Sequence, residues 1–141
     1  MESYEANASI RAKPQTIWAI LTDSERYTDW DSGVDRVEGK IARDATIKVF
    51  SSVSPGRAFP VKVIELIPDK SMVWSGGMPL GLFKGVRRFT LTPQPNGTTS
   101  FDMREEYTGP LLPMIWKSIP NLQPSFDQFV KGLKEKAEST V

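Results

Sequence analysis

The side chains best placed by type and phase to do chemistry are Arg87, Glu105 and Tyr107. An arginine and a glutamate brought face to face in an apolar fold would form a polar anchor for a ligand. A tyrosine two residues along the same strand would add a hydroxyl. The chain has no histidine and no cysteine. Imidazole acid–base catalysis, thiol nucleophiles, zinc sites of the usual kind and thiol redox chemistry are therefore excluded. A Ser-His-Asp triad is impossible. Asp23, Asp29, Asp31 and Asp35 form an acidic string around Trp30, but their spacing fits no calcium loop. Helix capping and solvation account for them, and no metal is expected. There is no glycine-rich phosphate loop, no cofactor is expected, and Arg57 beside Gly56 reads as a surface turn residue.

Turn chemistry decides whether Arg87 meets Glu105. Phe89 and Leu91 share a phase, as do Phe101, Met103 and Tyr107, and the two apolar faces must coincide. A two-residue Asn96-Gly97 loop would set Phe89 opposite Arg104. A three-residue Pro95-Asn96-Gly97 loop has proline opening a type I turn and glycine in the left-handed bulge position. It sets Leu91 opposite Phe101, Phe89 opposite Met103 and Arg87 opposite Glu105, and it is the loop expected. The pair then lies either on the covered side of the sheet or at its rim. Burying both charges is expensive and rarely adds net stability, which favours a binding role if the pair is covered. The same register opposes Arg88 and Arg104 on the outer face, with relief available from Glu106 and Asp102.

In the preceding hairpin, Phe59, Val61 and Val63 are placed inward. A four-residue loop from Ile67 to Lys70 sets Val63 opposite Trp74 and Val61 opposite Gly76. Gly76 and Gly77 subtract side-chain volume there, either as a bulge or as room for a ligand.

These strands need a frame. Tyr4, Ala6, Ala8 and Ile10 alternate with polar residues in a first strand from Tyr4 to Ala12. Pro14 opens a helix carrying Ile17, Trp18, Ile20 and Leu21. Ser24 can cap a second short helix through Arg26, Tyr27 and Trp30, which the Asp31-Ser32-Gly33 turn ends. Strands are expected at about 34–40, 45–52, 58–67, 71–78, 83–94 and 98–108, joined by short turns in an antiparallel meander. Phe126, Phe129, Val130, Leu133 and Ala137 then mark one apolar stripe of a long C-terminal helix. Ahead of it, Gly109 to Trp116 is very apolar. Pro113 can start a short helix, whereas Pro120 and Pro124 interrupt it. The expectation is a break near Lys117 to Gln123 and a main helix from Pro124 or Ser125 to Glu138. Met114 and Trp116 beside this hinge would serve as a cavity gate or as ordinary packing. If exposed, they would point to a homodimer or a membrane contact.

Lys plus Arg total 18 against 17 for Asp plus Glu, a net charge of +1. That balance argues against a dedicated nucleic-acid binder. Residues 1–141 read as one domain, with no repeat or linker. No export signal is visible, and the apolar stretches fall short of the ~20 residues that span a bilayer. A cytoplasmic protein without stable membrane insertion is expected.

The order β-α-α-β6-α resembles the START-like superfamily, also called SRPBCC or helix-grip, and particularly its polyketide cyclase/dehydrase branch. The resemblance covers nearly the whole chain. It rests on Ala12-Lys13-Pro14 with Ile17-Trp18 leading into Leu21-Thr22-Asp23, on Tyr27-Thr28-Asp29-Trp30, on Val73-Trp74, on Arg88-Phe89-Thr90-Leu91 and on Glu105-Glu106-Tyr107-Thr108-Gly109. It implies an α+β fold with a curved antiparallel sheet wrapped around the C-terminal helix and an internal cavity. It also implies binding of a lipid, a polyketide or another hydrophobic or amphipathic small molecule.

The expected lining comes from Phe59, Val61 and Val63, from Trp74, Gly76 and Met78, and from Phe89 and Leu91. Phe101 and Met103, Trp116, and Phe126, Phe129 and Leu133 complete it, with Arg87, Glu105 and Tyr107 fixing orientation. An enzyme of the cyclase/dehydratase kind is the alternative. Its acid and base would be Glu105 and Tyr107, with Arg87 stabilising an enolate-like oxyanion. A facing arginine keeps a carboxylate ionised against the pull of burial, which ranks the enzyme second. A third reading is a protein-interaction module like the chaperone-activator relatives of this fold, with Leu111 to Trp116 as its surface.

Overall fold

In the computed structural model, which describes residues 1–140, the alternation of Tyr4, Ala6, Ala8 and Ile10 becomes β1 (Glu2–Ile10). Ala6 and Ile10 point into the core. Pro14 occupies the first turn of α1 (Pro14–Leu21), which buries Ile17 and Leu21. A single 3-10 turn, Ser24–Arg26, stands where a second helix through Trp30 was expected. The chain is pinned there by side chains instead: the Tyr27 hydroxyl donates to the Leu21 carbonyl, and Ser32 Oγ donates to the Tyr27 carbonyl at 2.7 Å.

Six strands follow: β2 (Val34–Glu38), β3 (Thr46–Ser51), β4 (Ala58–Ile67), β5 (Ser71–Gly77), β6 (Lys84–Pro93) and β7 (Thr99–Thr108). The sheet order is β1-β7-β6-β5-β4-β3-β2, and all neighbours are antiparallel. The first strand of the chain is thus added beside the last, and β1 and β2 form the two edges of the sheet. The sheet curls around α3 (Gln123–Thr140), whose Phe126, Phe129, Val130, Leu133 and Ala137 fill the concave side. A shorter helix, α2 (Leu112–Ser118), precedes it. The two are separated at Ile119, which is extended before Pro120 as a residue preceding proline prefers.

The three-residue loop between β6 and β7 is present. Gly97 is left-handed (φ 86°) and its N–H donates to the Gln94 carbonyl at 3.1 Å. Leu91 faces Phe101, Phe89 faces Met103, and Arg87 faces Glu105. Arg88 does face Arg104. Arg104 is relieved by Glu106 at 3.1 Å as expected, but Arg88 turns to Glu65 at 3.2 Å rather than to Asp102.

The β4–β5 hairpin differs from expectation near its turn. Ile67 pairs with Ser71, so the loop has three residues, with Asp69 taking the left-handed conformation (φ 64°). A bulge between Val63 and Glu65 then restores Val63 opposite Trp74 and Val61 opposite Gly76. Its cost is an exposed Ile64, and its gain is that Leu66 packs on the core with Met72 opposite.

Helix α3 is tied to β1 at two points. Gln123 Nε2 donates to the Glu5 carbonyl, and Lys134 Nζ donates to the Ser9 carbonyl. Gly132 sits in mid-helix because a Cβ there would lie 2.0 Å from the Asp31 carbonyl oxygen. Asp31 itself accepts from Gln128 Nε2 at 2.7 Å, Asp23 pairs with Arg26, and Asp35 accepts from Ser52. Three of the four carboxylates in the acidic string are thus engaged in tying loops. Among the described residues no three such ligands gather to hold a metal, and no helix is long and apolar enough to cross a membrane.

Candidate functional site

Antiparallel registry turns the concave face into rows of side chains running across the strands. One row reads Tyr4, Glu105, Arg87, Trp74 and Val63, from β1, β7, β6, β5 and β4. The row on one side, Ala6, Met103, Phe89 and Met72, is apolar and buried. The row on the other side is Tyr107, Gly85, Gly76 and Val61, with two glycines in the middle of the sheet. The charged row is therefore flanked by the core on one side and by missing side chains on the other.

Arg87 Nε donates to Glu105 Oε1 at 2.7 Å, and the side chains are 23% and 18% exposed. The pair lies within the covered face near its edge, beneath aromatic groups from the helices. The Arg87 guanidinium sits 4.7 Å from the Phe126 ring centroid, a cation–π contact. Burial works against the charge on Arg87, but Glu105, through its charge and hydrogen bond, and Tyr107 outweigh it. The guanidinium is held protonated more firmly than usual.

Tyr107 is walled by aromatic rings: Tyr4 edge-on at 6.1 Å, Trp116 of α2 at 5.2 Å and Phe83 stacked at 6.0 Å. Tyr4 in turn touches Trp116 at 5.3 Å and Phe126 at 5.5 Å. Gly85 admits this arrangement. A Cβ there would meet Glu105 Oε2 at 3.1 Å and the Tyr107 ring at 3.5 Å.

Trp74 Nε1 is buried in this neighbourhood with no hydrogen-bond partner among the described residues. Tyr107 is 4% exposed and Trp74 5%. Burial first, and then Glu105, through its charge and a side-chain hydrogen bond, push the Tyr107 hydroxyl well above its ordinary pKa. Such a hydroxyl is a hydrogen-bond donor and a poor proton source. Tyr27 is likewise pushed up by burial, and its hydroxyl is already committed to the Leu21 carbonyl.

The structure gathers Arg87, Glu105, Tyr107, Trp74, Trp116 and Phe126 around one spot. Phe89, Leu91, Phe101, Met103, Phe129, Leu133 and Val63 lie in the adjoining core. Gly76 does not leave room: a Cβ there would strike Val61 Cγ1 at 2.9 Å and the Pro60 carbonyl at 2.8 Å, so β4 has moved into that volume. Met78 sits at the start of an exposed turn, Pro79–Gly81, and Phe59 lies exposed at the far end of β4 beside Arg57. Neither joins the group. Core side chains occupy the concave side of the sheet, and two hollows lie on its convex face. Of the apolar stretch before α3, Leu112 is buried and Trp116 half-buried, leaving Met114 as the large exposed side chain at 63%.

Sequence reasoning did not assign Tyr4 and Phe83 to the site. Phe83 shares the phase of Arg87, which could have revealed it. Tyr4 depends on the pairing of β1 with β7, which no turn specifies.

Residues 1–138 match the family described as polyketide cyclase / dehydrase and lipid transport. The chain belongs to that family. No curated protein matches the sequence. Among solved structures, a START superfamily protein from Mycobacterium smegmatis is similar over 99% of both chains, with 18% identity and a TM-score of 0.71. The Aha1 dimer from Colwellia psychrerythraea matches over 98% of this chain and 97% of its own, at 20% identity and a TM-score of 0.72. A hypothetical protein from Helicobacter pylori covers 96% of this chain and 88% of its own, at 12% identity and a TM-score of 0.78. This polyketide cyclase-like chain therefore has the helix-grip fold of the START-like proteins.

Proposed function

We propose that the protein binds a hydrophobic or amphipathic small molecule between the sheet and α3. The apolar part would lie against Phe89, Met103 and Phe129, and the polar end against Arg87, Glu105 and Tyr107. The observation that carries this reading is the covered Arg87–Glu105 pair, bordered by buried aromatic groups. A pair in such a place seldom adds net stability over apolar residues of the same size, so holding it there calls for another role. The family description, which includes lipid transport, points the same way.

Entry would come from α2. Its Trp116 covers Tyr107, and the helix is bounded by Gly109 (φ 119°) on one side and the non-helical residues 119–122 on the other. A short helix between two such joints can lift without unfolding the sheet. Binding is favoured over catalysis because Tyr107 is a poor proton source and Glu105 is engaged by Arg87.

Native mass spectrometry of freshly purified protein, with extraction of anything bound, tests the reading. A 1:1 adduct with an apolar or amphipathic compound, lost in Arg87→Ala, is expected. A bare mass together with no uptake of apolar dyes would refute it.

A further inference from the structure

Large apolar side chains left open to solvent gather at one end of the sheet. Strands β4 and β6 begin there and β5 and β7 end there, with Val61 opposite Gly76, Gly77 opposite Lys84, and Lys84 opposite Thr108. Phe59, Met78 and Leu80 lie exposed at this end. Leu80, 97% exposed, stands in the β5–β6 turn with a left-handed backbone (φ 61°), and Gly81 after it is left-handed too (φ 67°). Two successive left-handed residues suit asparagine followed by glycine, and a leucine in the first place carries strain. The entry to α2 is clasped to this turn. The Leu111 N–H donates to the Leu82 carbonyl at 3.0 Å, and a Cβ on Gly109 would lie 2.5 Å from that oxygen. Exposed Met114 of α2 and Leu80 therefore belong to one tip. We propose that this tip docks the protein on an anionic lipid bilayer, with Leu80 entering the interface.

Strain and exposure coincide at Leu80. Its side chain is almost wholly in solvent, so the core gains nothing from it, and an apolar surface outside the molecule would repay both costs. Charge selects that surface. Residues 76–84 and 109–122 carry two charged side chains, Lys84 and Lys117, and no acid. Both lysines are exposed, and neither has an ion-pair partner among the described residues. Of the acids at this end, Asp35 is held by Ser52 and Glu2 stands on β1 opposite Tyr107. Free lysines beside exposed apolar side chains match anionic headgroups above an acyl layer. A second copy would instead bring the same lysines together. The methionine side chains of the tip are flexible and adapt to a surface without fixed shape. No helix among the described residues is long and apolar enough to cross a membrane, so the docking is peripheral.

Co-sedimentation with vesicles tests this, using phosphatidylcholine alone and phosphatidylcholine mixed with phosphatidylglycerol. The wild type is expected to pellet with the mixed vesicles, less so as salt is raised, and only weakly with phosphatidylcholine alone. Leu80→Asn should weaken binding to the mixed vesicles about tenfold, the worth of withdrawing one leucine from the apolar layer. Without vesicles, Leu80→Asn should melt no lower than the wild type, because asparagine suits the left-handed turn. Lys84→Ala combined with Lys117→Ala should weaken binding to the mixed vesicles about thirtyfold and leave binding to phosphatidylcholine unchanged. A wild type that stays in the supernatant, or pelleting that Leu80→Asn leaves intact, would overturn the inference. A wild-type dimer that Leu80→Asn dissociates would overturn it too, assigning the tip to a second copy. A clearly lower melting temperature for free Leu80→Asn would do the same, since Leu80 would then pack within the fold. None of these outcomes bears on a ligand between the sheet and α3, which the mass measurement tests separately.

Discussion

At the scale of single residues, the Arg87–Glu105 pair is costly to break and cheap to replace. Arg87→Met leaves the Glu105 carboxylate half-buried and unpaired, at a cost of about 1–3 kcal/mol. The double change Arg87→Met with Glu105→Leu removes both charges and keeps the bulk, so its stability should return to within about 1 kcal/mol of the wild type. Urea unfolding of the three proteins checks this. A double variant as unstable as the single one would mean that the pair is structural. The sequence already showed these two residues as opposed, because proline and glycine in the Pro95-Asn96-Gly97 loop select one register. It did not show that Trp74 Nε1 is left unpartnered, since that depends on side-chain packing that alternation leaves open.

At the scale of elements, α3 is positioned by contacts that composition alone does not suggest. Gly132 should be a weak point, because alanine is the better helix former by about 1 kcal/mol. The close approach of the Asp31 carbonyl reverses that sign. Gly132→Ala is expected to destabilise by about 1–3 kcal/mol, the usual range for overpacking, and a denaturation midpoint above that of the wild type would contradict the contact. The other end of the helix has a pH signature. The Arg11 backbone N–H first, and then Lys134, hold the Glu138 carboxyl below its ordinary pKa. A carboxylate lowered on folding contributes stability above its unfolded pKa and loses it as pH falls through the folded value. Glu138→Gln should therefore melt below the wild type at pH 7, and the gap should close as pH falls below 4.5. A gap independent of pH would show that the charge plays no part.

The element order, the break before α3 and the long C-terminal stripe were legible because prolines and a helical period mark them. The Ile67–Ser71 turn was not, because it relies on Asp69 adopting a left-handed backbone and on a bulge downstream. No run of residue types announces either. The β1–β7 pairing joins the first and last strands of the chain, so the resemblance to a fold could suggest it but local patterning could not fix its register. That is why Tyr4 entered the site unannounced.

At the scale of the whole molecule, a curled sheet wrapped on one helix leaves an interior whose content is decided by volume. Here it is filled by Trp74, Phe89, Phe101, Met103, Phe126 and Phe129, all buried. On the proposed binding reading, a ligand would enter by displacing side chains along the Arg87 row, with α2 as the element that yields. The protein has four tryptophans, and only Trp74 places its indole N–H in that row without a partner. Its side-chain ¹H–¹⁵N resonance, assigned by loss of one of four indole peaks in Trp74→Phe, is the most direct reporter of the site. On saturation with an apolar dye that the protein takes up, this peak should shift as the ligand comes to lie against the Arg87 row, together with that of Trp116 as α2 moves. A Trp74 peak that stays in place while the probe binds would put the ligand elsewhere and contradict the account.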